Sequence, residues 1–425
     1  MANRLKSLKP YLFILLGNSV GTILQFLLLP VLTRLYSEED FAVYAVIMSW
    51  SIIAYLFSTF RYDTPILQAA NKQEVSSLNT FCVIASTLVT VVSITLLYFE
   101  IISIENTHIT LMFAVLISCT FAGYSLVEVI CKNLIYAENY KQVGIIRSVT
   151  TILTAGLQIA ISFIYISGEA LIVARVVALF LVIILAIIFL SKLDYLRSYI
   201  NTNFNLNIAI YKKYIKFPKI DLPSGVLNYI SSNLPYLFVP FYYGLVPEMG
   251  FYALVSRVFE GPINLLRNSI KNVFHKEASI RYKEGVFPFQ YLYKTLLIIM
   301  AICLPASLIV ILWGEQLFAF VFSESWRSAG QMASFGALFF ITLLLRSPVQ
   351  CSLQIIQCQA VNLKLEVVDL IIKLSFTFYV IQQAWNVLDW IYGFFIIATI
   401  TNILNIMYSI YLIKNFKPKG IVCQP

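Results

Sequence analysis

Charge is what this sequence has least of. Asp, Glu, Lys and Arg make up 12% of the 425 residues, while 60% are hydrophobic. A water-soluble domain carries about 25% charged residues, so an ordinary soluble globule is excluded. Histidine is nearly absent. His108 and His275 are the two copies and stand far apart, so no His-based metal site is expected. The seven Cys include no C-x-x-C, and Cys82, Cys119 and Cys303 sit inside apolar runs. There Cys behaves as a small hydrophobe, and no disulfide framework is expected. Enzyme signatures are missing too: no G-x-S-x-G, no H-E-x-x-H and no P-loop. Without an ATP site, uphill work must come from an ion gradient or from consumption of the product. No cofactor is expected.

Long apolar runs are what the chain has. Windows near 10–31, 41–60, 79–99, 109–130, 145–166, 170–190, 221–243, 251–274, 294–313, 329–350, 366–385 and 391–413 read as about twelve membrane spans, each near the ~20 residues that cross a bilayer. The first, Tyr11 to Leu32, is too long for a signal-peptide core and reads as a retained span. The expectation is an all-α polytopic membrane protein.

The formal net charge of +9 is absorbed by topology. With the amino terminus in the cytoplasm, 22 of the 30 Lys and Arg fall in cytoplasmic segments, counting Arg147 and Lys294 at the inner span ends, and two, Arg34 and Arg327, in outer loops. That asymmetry places both termini in the cytoplasm and leaves no reason to expect nucleic acid as a partner. The longest inner connection, Ser191 to Ile220, is basic and Asn-rich. It reads as a linker between two six-helix bundles, 1–205 and 206–425. A repeat supports the division. Leu29-Pro30 precedes Phe41-Ala-Val-Tyr-Ala45, as Val239-Pro240 precedes Gly250-Phe-Tyr-Ala-Leu254. The opening helix of each half carries a polar stripe: Asn18, Gly21, Thr22 and Gln25 in one, Ser224, Asn228 and Pro235 in the other. Matching polar helices in two halves point to a shared transport cavity; the bland alternative is helix-to-helix glue.

The stretch Arg257 to Lys271 places Arg257, Glu260, Asn264, Arg267 and Lys271 at helical steps on one face of a span, with Pro262 allowing a kink. Ionisable groups at membrane depth face a bundle interior or a wet cavity. Arg257, Arg267 and Arg175 are therefore candidate anion ligands, with Arg61, Asn18, Gln25, Asn228 and Asn264 as further polar contacts. Arg175 also lies within snorkelling reach of an interface. Arg61-Tyr-Asp63 reads either as an ion pair at a cytoplasmic gate or as a helix-end charge cluster. Asp369 and Lys373, at i,i+4, read as a self-neutralised pair or as a coupling element. Asp63, Glu128, Glu260, Asp369 and Lys373 are the candidates for ion coupling or gating, with a proton or sodium ion as coupling partner. Glu128 and Lys132 close their span and read as interfacial.

These residues lead to a resemblance. The carriers are Leu32-Thr-Arg-Leu-Tyr-Ser-Glu-Glu-Asp-Phe41 with Tyr44 and Arg61-Tyr-Asp63; then Phe217-Pro218, Leu222-Pro223-Ser224 and Asn233-Leu-Pro235, running into Gly250-Phe-Tyr-Ala253, Arg257-Val258, Pro262 and Val273-Phe274; then Phe322-Ser-Glu-Ser-Trp326 with Ala329-Gly330. In order and spacing the chain resembles the Wzx-type polysaccharide flippases. Their superfamily also contains lipid II flippases and multidrug extruders. One departure is Ser323, where the family often has Gly. The resemblance implies two six-helix bundles around a central cavity. It implies an oligosaccharide on undecaprenyl pyrophosphate, turned to the periplasmic leaflet of a bacterial inner membrane for O-antigen or capsule assembly. A polysaccharide polymerase and a chain-length regulator are the protein partners it implies. The alternative within the superfamily is an ion-coupled multidrug-type exporter, which would be expected to use cavity carboxylates.

Overall fold

The computed structural model describes residues 20–98, 111–191, 207–283, 289–356 and 358–415. These residues are nearly all helical and, among them, none forms a strand. In chain order the helices are α1 (Val20–Leu35), α2 (Glu38–Ser58), α3 (Lys72–Tyr98), α4 (Leu111–Tyr136), α5 (Tyr140–Ser162), α6 (Gly168–Ser191), α7 (Ile208–Lys213), α8 (Leu222–Ser232), α9 (Leu234–Tyr242), α10 (Pro247–Lys283), α11 (Phe289–Phe322), α12 (Arg327–Ile355), α13 (Gln359–Gln382) and α14 (Val387–Asn415). Eight of them, α2 to α6, α11, α12 and α14, are long and apolar enough to cross a membrane. Asn18, His108 and both chain ends lie outside the described residues.

By internal packing the chain divides into two compact units, Met1–Gly250 and Phe251–Pro425. In the first, α4 packs against α2, α3, α5 and α6. The most apolar window of α2 is 56% buried and that of α3 only 22%, so α2 is central and α3 turns most of its surface outward. In the second unit α12 is the hub, packing against α11, α13 and α14. Its window is 67% buried against 17% for α11. An apolar surface that would be a fault in water is what a lipid-facing helix requires.

The motif residues build the tight contacts. Ser37 caps α2, its Oγ accepting from the Asp40 amide at 3.2 Å while Asp40 Oδ2 accepts from the Ser37 amide at 3.0 Å. Three acidic residues in the first turn suit the positive end of the helix dipole. That turn is met by Gly250, where a Cβ would stand 1.9 Å from the Glu38 carbonyl oxygen. In the second unit a Cβ on Gly330 would stand 2.3 Å from the Gly314 carbonyl oxygen. Only the absence of a side chain permits either approach. Trp326, fully buried, meets Phe251 edge to face at 6.0 Å.

Several expectations are corrected. Residues 221–243 do not form one continuous span. A π turn, Phe217–Asp221, precedes α8, and α8 ends at Asn233, whose side-chain amide donates to the Tyr229 carbonyl at 3.1 Å. Pro235, at the start of α9, lacks the amide that would carry the helix through. Pro262, by contrast, sits inside the unbroken α10, and the irregularity lies at Trp313 of α11, φ −127°. The helical backbone thus breaks where the apolar run was expected to end, and a second helical segment follows the kink to Phe322. Toward its end the basic stretch 191–220 forms α7. Residues of α7 pack with Tyr62, Ile66 and Leu78. Lys213 Nζ lies 2.6 Å from Glu74, a hydrogen bond that holds the ammonium above its ordinary pKa. Cys82, Cys119, Cys131, Cys303 and Cys351 are free thiols, but Cys358 is disulfide-bonded. Spacing alone cannot reveal such a pair, because pairing depends on a Cα separation below about 7 Å that only the fold supplies.

Candidate functional site

The first unit carries a chain of charges. Asp63, 1% exposed, accepts from Thr59 Oγ1 at 2.8 Å and lies 3.5 Å from Lys132 Nζ. Lys132 also reaches Glu128 at 3.8 Å, and Glu128 lies 3.5 Å from Arg147. Glu128 and Lys132 thus belong to a network joining α4, α5 and the turn after α2. Each charge has an opposite neighbour, as buried ions require. Arg61 does not pair with Asp63 among the described residues. It lies in a left-handed turn, φ 62°, after Phe60 at 48°. The turn sends its guanidinium over Gly225 of α8, where a Cβ would stand 2.6 Å from Nη2. Its Nε is buried without a hydrogen-bond partner.

Arg175 is held differently. It does not snorkel outward. It donates to the Tyr124 hydroxyl and, at 3.2 Å, to Thr154 Oγ1, and it lies 4.9 Å above the Tyr124 ring. Its Nε is buried with no hydrogen-bond partner, and no described carboxylate pairs with it. The phenol and hydroxyl fix the fork without neutralising it.

In the second unit a polar network links α12, α13 and α14. Lys373 Nζ lies 2.8 Å from Asp369 Oδ2, with side chains 4% and 3% exposed. Thr401 donates to the other Asp369 oxygen, and Lys373 lies 5.6 Å over the Phe394 ring. One turn away, Arg346 donates to Asn402 Oδ1 at 3.2 Å and lies 3.9 Å from Glu366. Asn402 donates onward to Thr342, and Asn362 to Glu366, each at 3.0 Å. On α10, Arg267 donates to Asn264 Oδ1 at 2.6 Å and lies within electrostatic reach of Glu260 and Arg346. Arg257 is half-buried and Glu260 is exposed. The side chain of Lys271 lies outside those described.

The structure therefore joins Arg267 with Asn264 and Asp369 with Lys373, and gives Asp63 and Glu128 a shared Lys132. Gln25 is half-buried on α1 and Asn228 exposed on α8. Sequence reading passed over Arg346, Glu366, Asn402, Lys132 and Tyr124 as site residues. Arg346 had a usable signal: an arginine following three leucines in an apolar run is a functional candidate by default. Among the described residues no group of His, Cys, Asp and Glu is placed to hold a metal ion.

A family model described as "Polysaccharide biosynthesis protein" matches residues 31–331. No curated protein sequence matches the chain. Among solved structures, a lipid II flippase, MurJ, in an inward closed conformation is similar at a TM-score of 0.70 and 15% identity, covering 95% of this chain and 88% of that one. An inward-facing multidrug resistance transporter of the MATE family, MOP superfamily, is similar at 0.64 and 12%, covering 96% of both. A MOP superfamily transporter from Pyrococcus furiosus is similar at 0.62 and 13%, covering 96% and 97%. At these identities the likeness shows a shared fold.

Proposed function

Because the chain belongs to the polysaccharide biosynthesis protein family, we propose that it is a flippase for lipid-linked oligosaccharide. In this reading it has about twelve spans in two bundles of six, 1–205 and 206–425, and both termini in the cytoplasm of a bacterium. It turns an oligosaccharide on undecaprenyl pyrophosphate from the inner to the outer leaflet of the inner membrane, for O-antigen or capsule assembly.

The observation that carries the reading is how its arginines are held. Arg175 is fixed by Tyr124 and Thr154, and Arg267 by Asn264. Neutral partners orient a guanidinium and leave its charge for a ligand, wholly at Arg175 and in part at Arg267, which lies within reach of Glu260. A pyrophosphate offers the planar, bidentate oxygens that a guanidinium fork matches. Arg257 and Arg61 are further candidates for the same role, and Gln25, Asn228 and Asn264 for the sugars.

A second reading, an ion-coupled exporter of the multidrug type, is favoured by the Asp63–Lys132–Glu128 chain, whose carboxylates could exchange a proton or oppose a sodium ion. One experiment separates the two. In a strain lacking the chain, lipid-linked oligosaccharide should accumulate on the cytoplasmic leaflet. Arg175→Ala with Arg267→Ala should fail to relieve it, and Arg175→Lys should relieve it in part. Normal surface polysaccharide in the deletion strain would overturn the flippase reading. Full export by a stably inserted double variant would overturn the anion-binding role.

A further inference from the structure

The second unit contains an apolar groove that the reading above leaves unused. Its larger part holds about 650 Å³ and is lined by residues of α10, α11 and α12, among them Leu266, Ile299 and Ile302. An adjoining part of about 160 Å³ runs on to Phe259 and Val310. The two share Leu266, Cys303 and Leu344, so the groove is continuous. Its polar groups gather at one end: Arg281, Gln290, Lys294 and Thr295. Lys294 is exposed and, among the described residues, forms no ion pair. Arg281 lies 4.9 Å over Tyr291 and is partly neutralised by Glu277 at 3.0 Å. The far end, from Phe259 to Ile341, offers little but hydrocarbon.

Length narrows the occupant. From Gln290 to Val310 along α11 is about 30 Å at ~1.5 Å per residue. That is the full thickness of the hydrocarbon core, ~30 Å. A phospholipid acyl chain reaches across one leaflet, roughly half that distance. A chain that fills the groove from the cationic mouth to the far end must be longer, and its headgroup must be an anion.

We propose that this groove holds the polyisoprenoid chain of the carried lipid, with the lipid's phosphate at Lys294 and Arg281. The proposal rests on the flippase reading and adds to it a site for the tail within the second unit. The groove positions the lipid before its sugars are moved, and hydrophobic burial of the tail supplies affinity that does not depend on the sugar sequence.

The test uses the purified full chain in nanodiscs, with undecaprenyl monophosphate as probe and phosphatidylglycerol as competitor, read by native mass spectrometry. Ile302 is 67% exposed, so Ile302→Trp fills the groove without disturbing the core. Wild type should retain the polyprenyl phosphate against excess phosphatidylglycerol. Ile302→Trp should weaken retention at least tenfold, and Lys294→Gln several-fold. Should Ile302→Trp lower the melting temperature, Ile298→Trp, at 52% exposed, takes its place. Unchanged retention by the filled variants overturns the proposal, as does equal displacement by phosphatidylglycerol, which marks ordinary annular lipid. Polysaccharide export is scored in the same strains. Export that continues while wild type shows no groove binding removes the groove and leaves the flippase reading standing. Export that survives deletion of the chain removes that reading whatever the binding shows.

Discussion

Ser323→Gly should stabilise the protein. Ser323 lies between α11 and the short 3₁₀ turn Glu324–Trp326, at φ 126° and ψ 168°. In that region the Cβ of an L-residue crowds the backbone, and it is essentially populated by glycine alone, at a cost of about 1–3 kcal/mol for other residues. Surrounding contacts impose the conformation. Trp326 is fully buried, and Glu324 accepts two bonds from Arg327, at 2.6 and 3.1 Å. The serine hydroxyl contributes little, sharing one 3.2 Å contact with Ser325 at the surface. Glycine removes the crowding but gains about 0.5–1 kcal/mol of unfolded-chain freedom. The net gain is therefore roughly 0–2.5 kcal/mol, with a midpoint of about 1 kcal/mol. At about 2–4 °C per kcal/mol for a unit of this size, the melting temperature should rise by approximately 2–5 °C at that midpoint. Intrinsic-fluorescence melting of the purified protein in detergent measures it, with Ser323→Ala as control. Alanine keeps the Cβ and should give no gain. A glycine variant that melts at or below wild type, or an alanine variant that matches it, would refute the strain argument.

Other substitutions probe the interior. Asp369→Ala should cost about 3–5 kcal/mol by stranding Lys373 beside Arg346. Asp369→Leu with Lys373→Met should recover most of that stability. If the double variant is stable yet blocks export while wild type does not, the pair is a coupling element and not a structural clamp. Gly250→Ala places a methyl 1.9 Å from the Glu38 carbonyl, so folded yield should fall by the equivalent of at least ~1–3 kcal/mol; unchanged yield and melting would show that the contact relaxes freely.

What could be read in advance follows from distance along the chain. Apolar runs mark helices because the bilayer rewards length and hydropathy directly. The Asp369–Lys373 contact was legible because its partners are one turn apart. The Asp63–Lys132 contact was not, since nothing local links those two positions and the charge nearest Asp63 in the sequence is Arg61. Arg175 was legible as a buried cation, but Tyr124 as its holder was not: a tyrosine in an apolar run gives no sign of which way its hydroxyl points. The break at Asn233 needed two weak signals, an asparagine and a proline two residues on, in a run whose hydropathy argued for continuity. Ser323 stood out as a departure from a family pattern, and its meaning came only with the backbone angle.

Arg175 is a permanent charge. A guanidinium cannot be discharged at any pH a cell meets, and its holders here, a phenol and an alcohol, carry no charge of their own to cancel it. The first unit thus contains a fixed cation of the kind grafted onto an anion-exchange resin. In the proposed flippase such a group would sort ligands by sign before shape is consulted, and would keep sorting across acid and alkaline swings that would silence a histidine. Salt weakens a resin where pH does not. Anion binding there, if Arg175 serves the proposed role, should accordingly fall as competing salt anions are added and stay flat with pH.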